Sequence, residues 1–241
     1  MPKPPRPWIV TPHGPIEPID DNLWGVTGEV PGFPKGTGMQ RRMCIVKLSD
    51  GRLAFHNAVP LEDAALAKLH AWGTPSILIA PVWLHAMDAP AFANKLKLEV
   101  FTCAASVPKL RDHFPHIKPL EELPAEPALS WTYLRGTRFQ EPAFTVHSGP
   151  RASLLFVDAW QNSRPGKGLN AALFKLFGFT GAEPRTPPFY KWRAMTNRED
   201  LKADLLRLAD TPGLARLVPS HGAIVSERPM ETLRETVHRW L

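Results

Sequence analysis

Cysteine is scarce: two occur among 241 residues. Cys44 and Cys103 lie in separate strand-like apolar runs, with neither CxxC nor metal-ligand spacing. They therefore give no disulfide framework and read as small buried hydrophobes, as suits a reducing cytoplasm. Long apolar runs are also missing. "SILIAPVWL" falls far short of the roughly 20 residues that cross a bilayer, which excludes a transmembrane helix. "MPKPPRPWIV" is basic but broken by prolines, without an apolar core or small-residue cleavage site, so no secretory signal is expected. "GFPKGTG" lacks the spacing of a phosphate-binding loop and reads as a flexible turn. The formal charge of +6 comes from scattered basic residues interrupted by acids, as in "NREDLKADLLRLAD". Without an aromatic-interleaved basic stripe, a nucleic-acid partner is not expected.

What is present is an ordinary globular composition, 44% hydrophobic and 22% charged, stiffened by 27 prolines. Residues 1–22 are proline-rich and aperiodic, and predict an extended arm, laid over the domain or mobile. "NLWGVTGEV" reads as a strand, and "RRMCIVKL", "SDG" and "RLAFH" as a hairpin with a tight glycine turn. "PLEDAALAKLHAW" has apolar residues at helical spacing and ends at Gly73. "PSILIAPVWL" reads as a fully buried strand. "DAPAFANKL" and "SVPKLRDHF", the latter with Ser106 as N-cap and Pro108 in its first turn, predict short helices around the strand "KLEVFTC". From about residue 119 a polar, proline-broken link leads to a second hairpin, "AFTVHS" with "ASLLFVDAW". The helices "NREDLKADLLRLAD" and "ERPMETLRETVHRWL" flank a last strand, "LARLVPSHG". Strands early and late with interspersed helices and no clean linker predict one layered α/β domain over residues 23–241.

Polar groups recur where apolar strands end. His56, His85 with Asp88, His147, Asp158 and His221 all stand at such places. Strand ends are where a rigid backbone meets solvent, so imidazole and carboxylate groups there can converge on one cleft. His13, His70, His113, His116 and His238 fall in the arm or on helices and are expected to be solvated.

From Asn22 to the end this order resembles the metallo-β-lactamase fold superfamily. "NLWGVTGEV" looks like its opening strand, "CIVKLSDGRLAFH" its first hairpin, and "ILIAPVWLHAMDAPAF" the strand and turn that carry its metal motif. "VHSGPRASLLFVDA" is similar to the later histidine turn and the strand ending in the metal-bridging aspartate, and "ARLVPSHG" to the final strand with its histidine. Within the superfamily the chain most resembles a subfamily known only as a domain of unknown function. The resemblance implies a four-layer αββα sandwich with the active site along one edge of the paired sheets.

The motif itself departs. His-x-His-x-Asp-His overlays on Trp83, His85, Met87 and Asp88, so one ligand is kept in register. The resemblance then implies the loss of the first metal position and a reduced, single-metal site. Asp88, Asp158 and His221 would be its main ligands, with His85 and His147 auxiliary, and Asp88 and His85 candidates for proton transfer. Mixed oxygen and nitrogen ligands suit Zn, Fe or Mn. A metal-dependent hydrolase acting on a small ester-like or anionic molecule is one reading. The other is a degenerate, metal-free binding module whose former cleft is filled by Trp83 and Met87. Two alternatives stay open for individual residues: Asp88 precedes "APAFANKL" and could simply cap that helix, and Asp158 could serve only its neighbouring amides. Residues 163–196, with "LNAALFKLFGF" set among basic residues, read as a lid-like insertion over the cleft mouth or a membrane-dipping segment.

Overall fold

The computed structural model describes residues 7–241, and the reading of the extreme N-terminus as free of a signal lies partly outside them. The chain divides into two compact units. One comprises the residues up to Gly28 together with Arg42–Ser130, the other Glu29–Arg41 together with Trp131–Leu241.

The first unit is built on a seven-stranded sheet in sequence order: β1 (Glu17–Asp20), β2 (Leu23–Glu29), β3 (Gln40–Lys47), β4 (Arg52–His56), β5 (Thr74–Ala80), β6 (Glu99–Thr102) and β7 (Lys118–Pro119). β3 and β4 pair antiparallel, as the tight turn requires, and β4 to β7 run parallel. Helix α1 (Asp63–Trp72) makes the crossover from β4 to β5 and is closed by the Gly73 amide donating to the Leu69 carbonyl. Helix α2 (Ala89–Leu96) and the single turn α3 (Val107–Leu110) follow β5 and β6. Ile45, Leu53, Phe55, Leu69, Leu78 and Phe92 are fully buried in the core. The arm is laid on this unit from residue 7 onward: Trp8 stacks on Phe92 at 5.6 Å, and residues 17–20 form β1, paired antiparallel with β2.

Two expectations are corrected. β5 stops at Ala80 rather than running to Leu84, because Pro81 cannot donate to the ladder, and Trp83–His85 form a 3-10 turn. Ser106 occupies the N-cap of α3 without capping it. Its hydroxyl instead accepts from the Trp83 amide at 2.9 Å and lies 3.0 Å from the Cys103 sulfur.

The second unit carries a four-stranded sheet ordered β11-β10-β9-β8, from β8 (Leu129–Tyr133), β9 (Pro142–Ser148), β10 (Arg151–Phe156) and β11 (Leu214–Pro219). β8 lies in what reads by sequence as an irregular link. Proline breaks the stretch before it, but "LSWTY" is β-branched and aromatic enough to pair. β9 and β10 form the expected hairpin, and β11 runs parallel to β10. Helices α4 (Leu169–Leu176), α5 (Pro188–Arg193), α6 (Arg198–Ala209) and α7 (Pro229–Trp240) complete the unit. Asn197 caps α6, accepting from the Glu199 and Asp200 amides. Asp204, on the inner side of α6, accepts from the Arg135 amide at 2.7 Å and from its guanidinium, which ties the helix to the end of β8. Phe156, Trp160, Leu201, Leu205, Leu217 and Leu233 form the core of this unit.

Candidate metal centre

In the second unit the parallel pairing of β10 and β11 builds the site. Phe156 is in register with Pro219. Asp158 and His221 each follow two residues later, so both side chains leave adjacent strand ends at the same height. His221 Nε2 lies 3.3 Å from Asp158 Oδ1, and the two side chains are 9% and 15% exposed. The turn after β11 is fixed by the backbone: the Asn162 amide donates to the His221 carbonyl, and the Ala223 amide to that of Asn162. Gly222 sits at φ +98°, and a β-carbon there would come within 2.0 Å of the Asn162 carbonyl oxygen. This is why glycine follows His221.

The turn after β10 is held from beneath. Glu141 is buried, and its Oε1 accepts from the Asp158 amide at 2.9 Å and the Ala159 amide at 2.7 Å. Burial pushes its carboxyl up to about 8, and the Asp158 charge adds to this. The two amides and the Tyr190 hydroxyl act the other way. Gln161 Nε2 donates to Asp158 Oδ1 at 3.1 Å. Neither Glu141 nor Gln161 is signalled by the sequence reading.

The hydrogen bonds set the tautomer of His221. Its Nδ1 lies 2.6 Å from the Gln40 carbonyl oxygen, which can only accept, so Nδ1 carries a proton. A neutral imidazole then has its lone pair on Nε2, facing the Asp158 carboxylate. Two lone pairs at that separation repel unless a cation lies between them, either a proton or a metal ion. Two donors each roughly 2.0–2.1 Å from a tetrahedral ion stand about 3.3 Å apart, and an N–H to carbonyl bond at the other ring nitrogen is the usual outer partner of a metal-bound histidine. The donor set fits a divalent transition metal.

The first unit presents a second imidazole of the same kind. Asn57, buried and in the left-handed region at φ 66°, donates from Nδ2 to the Arg42 carbonyl at 3.0 Å. That contact turns its Oδ1 toward His85 Nδ1, at 3.2 Å. An amide oxygen only accepts, so His85 Nδ1 donates and the neutral ring has its lone pair on Nε2. His56, at the end of β4, is buried beneath this turn with Nδ1 3.4 Å from Asn57 Nδ2. Burial, and then the neighbouring His85, push the His56 imidazole down to about 3.

The remaining expected residues divide. Asp88 stands at the N-cap of α2, and its side chain makes no capping hydrogen bond there. His147 lies inside β9 and pairs with Ala152 at the start of β10, whereas Asp158 follows the other end of β10. Six residues of nearly extended chain separate those ends by roughly 20 Å, so the hairpin holds His147 away from Asp158. Trp83 is half-buried, packs on the core of the first unit and has Lys109 Nζ 4.3 Å from its ring centre.

No protein-family model matches the chain, and no curated protein matches it in sequence. Solved structures do. The DIM-1 metallo-β-lactamase, in crystals exposed to ceftazidime, is similar at 13% identity and a TM-score of 0.61, over 93% of this chain and 96% of that one. Diflavin flavoprotein A 5 (fragment 1–254) from Nostoc sp. PCC 7120 is similar at 12% identity and a TM-score of 0.64, over 95% and 96%. A metallo-β-lactamase from Hirschia baltica is similar at 14% identity and a TM-score of 0.56, over 93% and 98%. Likeness at such identity carries architecture alone. The chain has the metallo-β-lactamase fold.

Proposed function

We propose that the protein is a metal-dependent hydrolase that holds one divalent transition-metal ion on Asp158 and His221, with His85 supplying a second imidazole. It would act on a small ester-like or anionic molecule. The observation that carries the reading is the Asp158–His221 pair, two electron-rich atoms 3.3 Å apart with the imidazole proton committed to the Gln40 carbonyl. His85 is included because it keeps its register in the metal motif and because Asn57 fixes the same tautomer on it. Two of the structurally similar proteins bear the name metallo-β-lactamase.

A bound ion of this kind polarises a carbonyl or phosphoryl oxygen and lowers the pKa of water. The chain's own part is positional. Glu141 and Gln161 fix the Asp158 turn, and Gln40 and Asn57 aim the two imidazoles. Asp88, three residues beyond His85 and not used as a cap, would be the proton acceptor. Zn, Fe and Mn all suit this donor set.

Metal analysis of the purified protein, followed by calorimetric titration with Zn, Mn and Fe salts, tests the proposal. About one equivalent should bind, and Asp158→Ala or His221→Ala should weaken binding by at least about a hundredfold, as expected for loss of a ligand. Binding below about a tenth of an equivalent after incubation with each metal would overturn the reading in favour of the metal-free binding module, since a ligand set with this fit should load at neutral pH. Stoichiometric metal without turnover of a panel of esters, phosphodiesters and lactams would overturn the hydrolase part alone.

A further inference from the structure

Among the described residues eight large apolar side chains are exposed, and six of them belong to one part of the second unit: Phe33, Leu169, Leu173, Leu176, Phe177 and Trp192. Four lie on or directly after α4. Leu169 is 76% exposed, Leu173 42%, Leu176 78% and Phe177 63%. With exposed Ala172 they follow the i, i+3, i+4, i+7, i+8 spacing of a single helical stripe, and that stripe faces solvent. The opposite face is also apolar: Ala171 is buried and Phe174 packs against Phe33 and Phe179, which continues to Phe189. The helix therefore already has its internal packing, and the outer stripe is additional. Continuous exposed apolar surface of this kind marks a place where something binds.

Charge indicates what binds. Residues 163–196 hold six basic side chains and one acid, Glu183, which is paired with Arg239. The segment thus carries five of the chain's six net positive charges. Arg164, Lys167, Lys175 and Arg193 are exposed, and so is Lys35, whose carbonyl accepts from Asn170 on α4. A helix with a leucine and phenylalanine stripe, lysines at both ends and an 83%-exposed tryptophan on the neighbouring α5 has the composition of an element that lies in the plane of an anionic membrane surface. We propose that α4 and its basic surround dock the protein on an anionic lipid surface. The proposal is independent of the metal centre.

Co-sedimentation of the full chain with vesicles tests it. The protein should pellet with vesicles of phosphatidylcholine containing phosphatidylglycerol. Binding to pure phosphatidylcholine should be at least about tenfold weaker, and raised salt should weaken binding to the mixed vesicles. Leu173→Glu with Leu176→Glu, checked for native circular dichroism, should reduce binding about tenfold or more, because charges replace side chains that would enter the interface. Lys167→Ser with Lys175→Ser, exposed positions that leave the apolar stripe intact, should lower the anionic preference without abolishing residual binding. Absence of binding, equal binding by the glutamate variant, or no preference for anionic vesicles overturns the proposal. So does light scattering that shows a dimer dissociated by the glutamate variant, since the stripe would then be covered by a second copy.

Discussion

Replacing Asn57 with alanine removes, besides its 3.4 Å approach to His56 Nδ1, two hydrogen bonds made by one buried amide. Its Nδ2 satisfies the Arg42 carbonyl at 3.0 Å, and its Oδ1 receives the His85 Nδ1 proton at 3.2 Å. A buried carbonyl left without its donor costs about 1–3 kcal/mol. The backbone at φ 66° adds about 1 kcal/mol, because alanine tolerates the left-handed region less well than asparagine. Asn57→Ala should therefore lower the unfolding free energy of the metal-free protein by roughly 2–4 kcal/mol, read by urea denaturation. The orienting role predicts a second, separate loss. Without a partner on Nδ1 the His85 ring can take the wrong tautomer, and metal affinity measured by calorimetry should fall about 10–100-fold. Asn57→Gly separates the two costs. It relieves the backbone but leaves His85 unoriented, so it should recover about 1 kcal/mol of stability and none of the affinity. If both variants bind metal like the parent protein, the orienting argument fails. If Asn57→Ala is as stable as the parent, the hydrogen-bond argument fails.

The other predictions follow from buried groups. The imidazole of His56 has a folded value near 3 against an ordinary 6.5, so the unfolded chain takes up the proton first. Stability should fall as pH drops below 6.5, by about 2 kcal/mol between pH 7 and pH 5. His56→Leu should flatten that part of the pH profile, and an unchanged slope would refute the assignment. Asp204→Ala strands the Arg135 amide and should cost about 2–4 kcal/mol in thermal unfolding, whereas Asp204→Asn keeps an acceptor and should cost less. Cys44 and Cys103 are both buried, and burial pushes the Cys44 thiol up to about 12. A thiol reagent at neutral pH should therefore label neither in the native protein and both in denaturant. Rapid native labelling would contradict the buried placement.

Much of this was legible in the chain itself. Alternation and turn chemistry placed β3 with β4 and β9 with β10, because a tight glycine turn between β-prone runs leaves little choice of partner. "FVDAW" and "VPSHG" announced Asp158 and His221 as polar groups at the ends of apolar strands, which is a local property of sequence. Sequence did not show that β10 and β11 are neighbours in parallel register. That pairing sets the 3.3 Å between the two side chains, and it depends on residues some 60 positions apart. The neighbouring ladder sets His147 beside Ala152, at the far end of β10 from Asp158, a placement that a histidine near a hairpin turn does not reveal by sequence. Asn57, Glu141 and Gln40 were silent for a related reason. Each acts through hydrogen bonds to groups brought near only by folding, so nothing in its own neighbourhood marks it. Residue chemistry and local periodicity thus determined which groups could serve as ligands. Strand pairing decided that Asp158 and His221 meet, and hydrogen bonds to the Gln40 carbonyl and the Asn57 amide oxygen decided which nitrogen each imidazole presents.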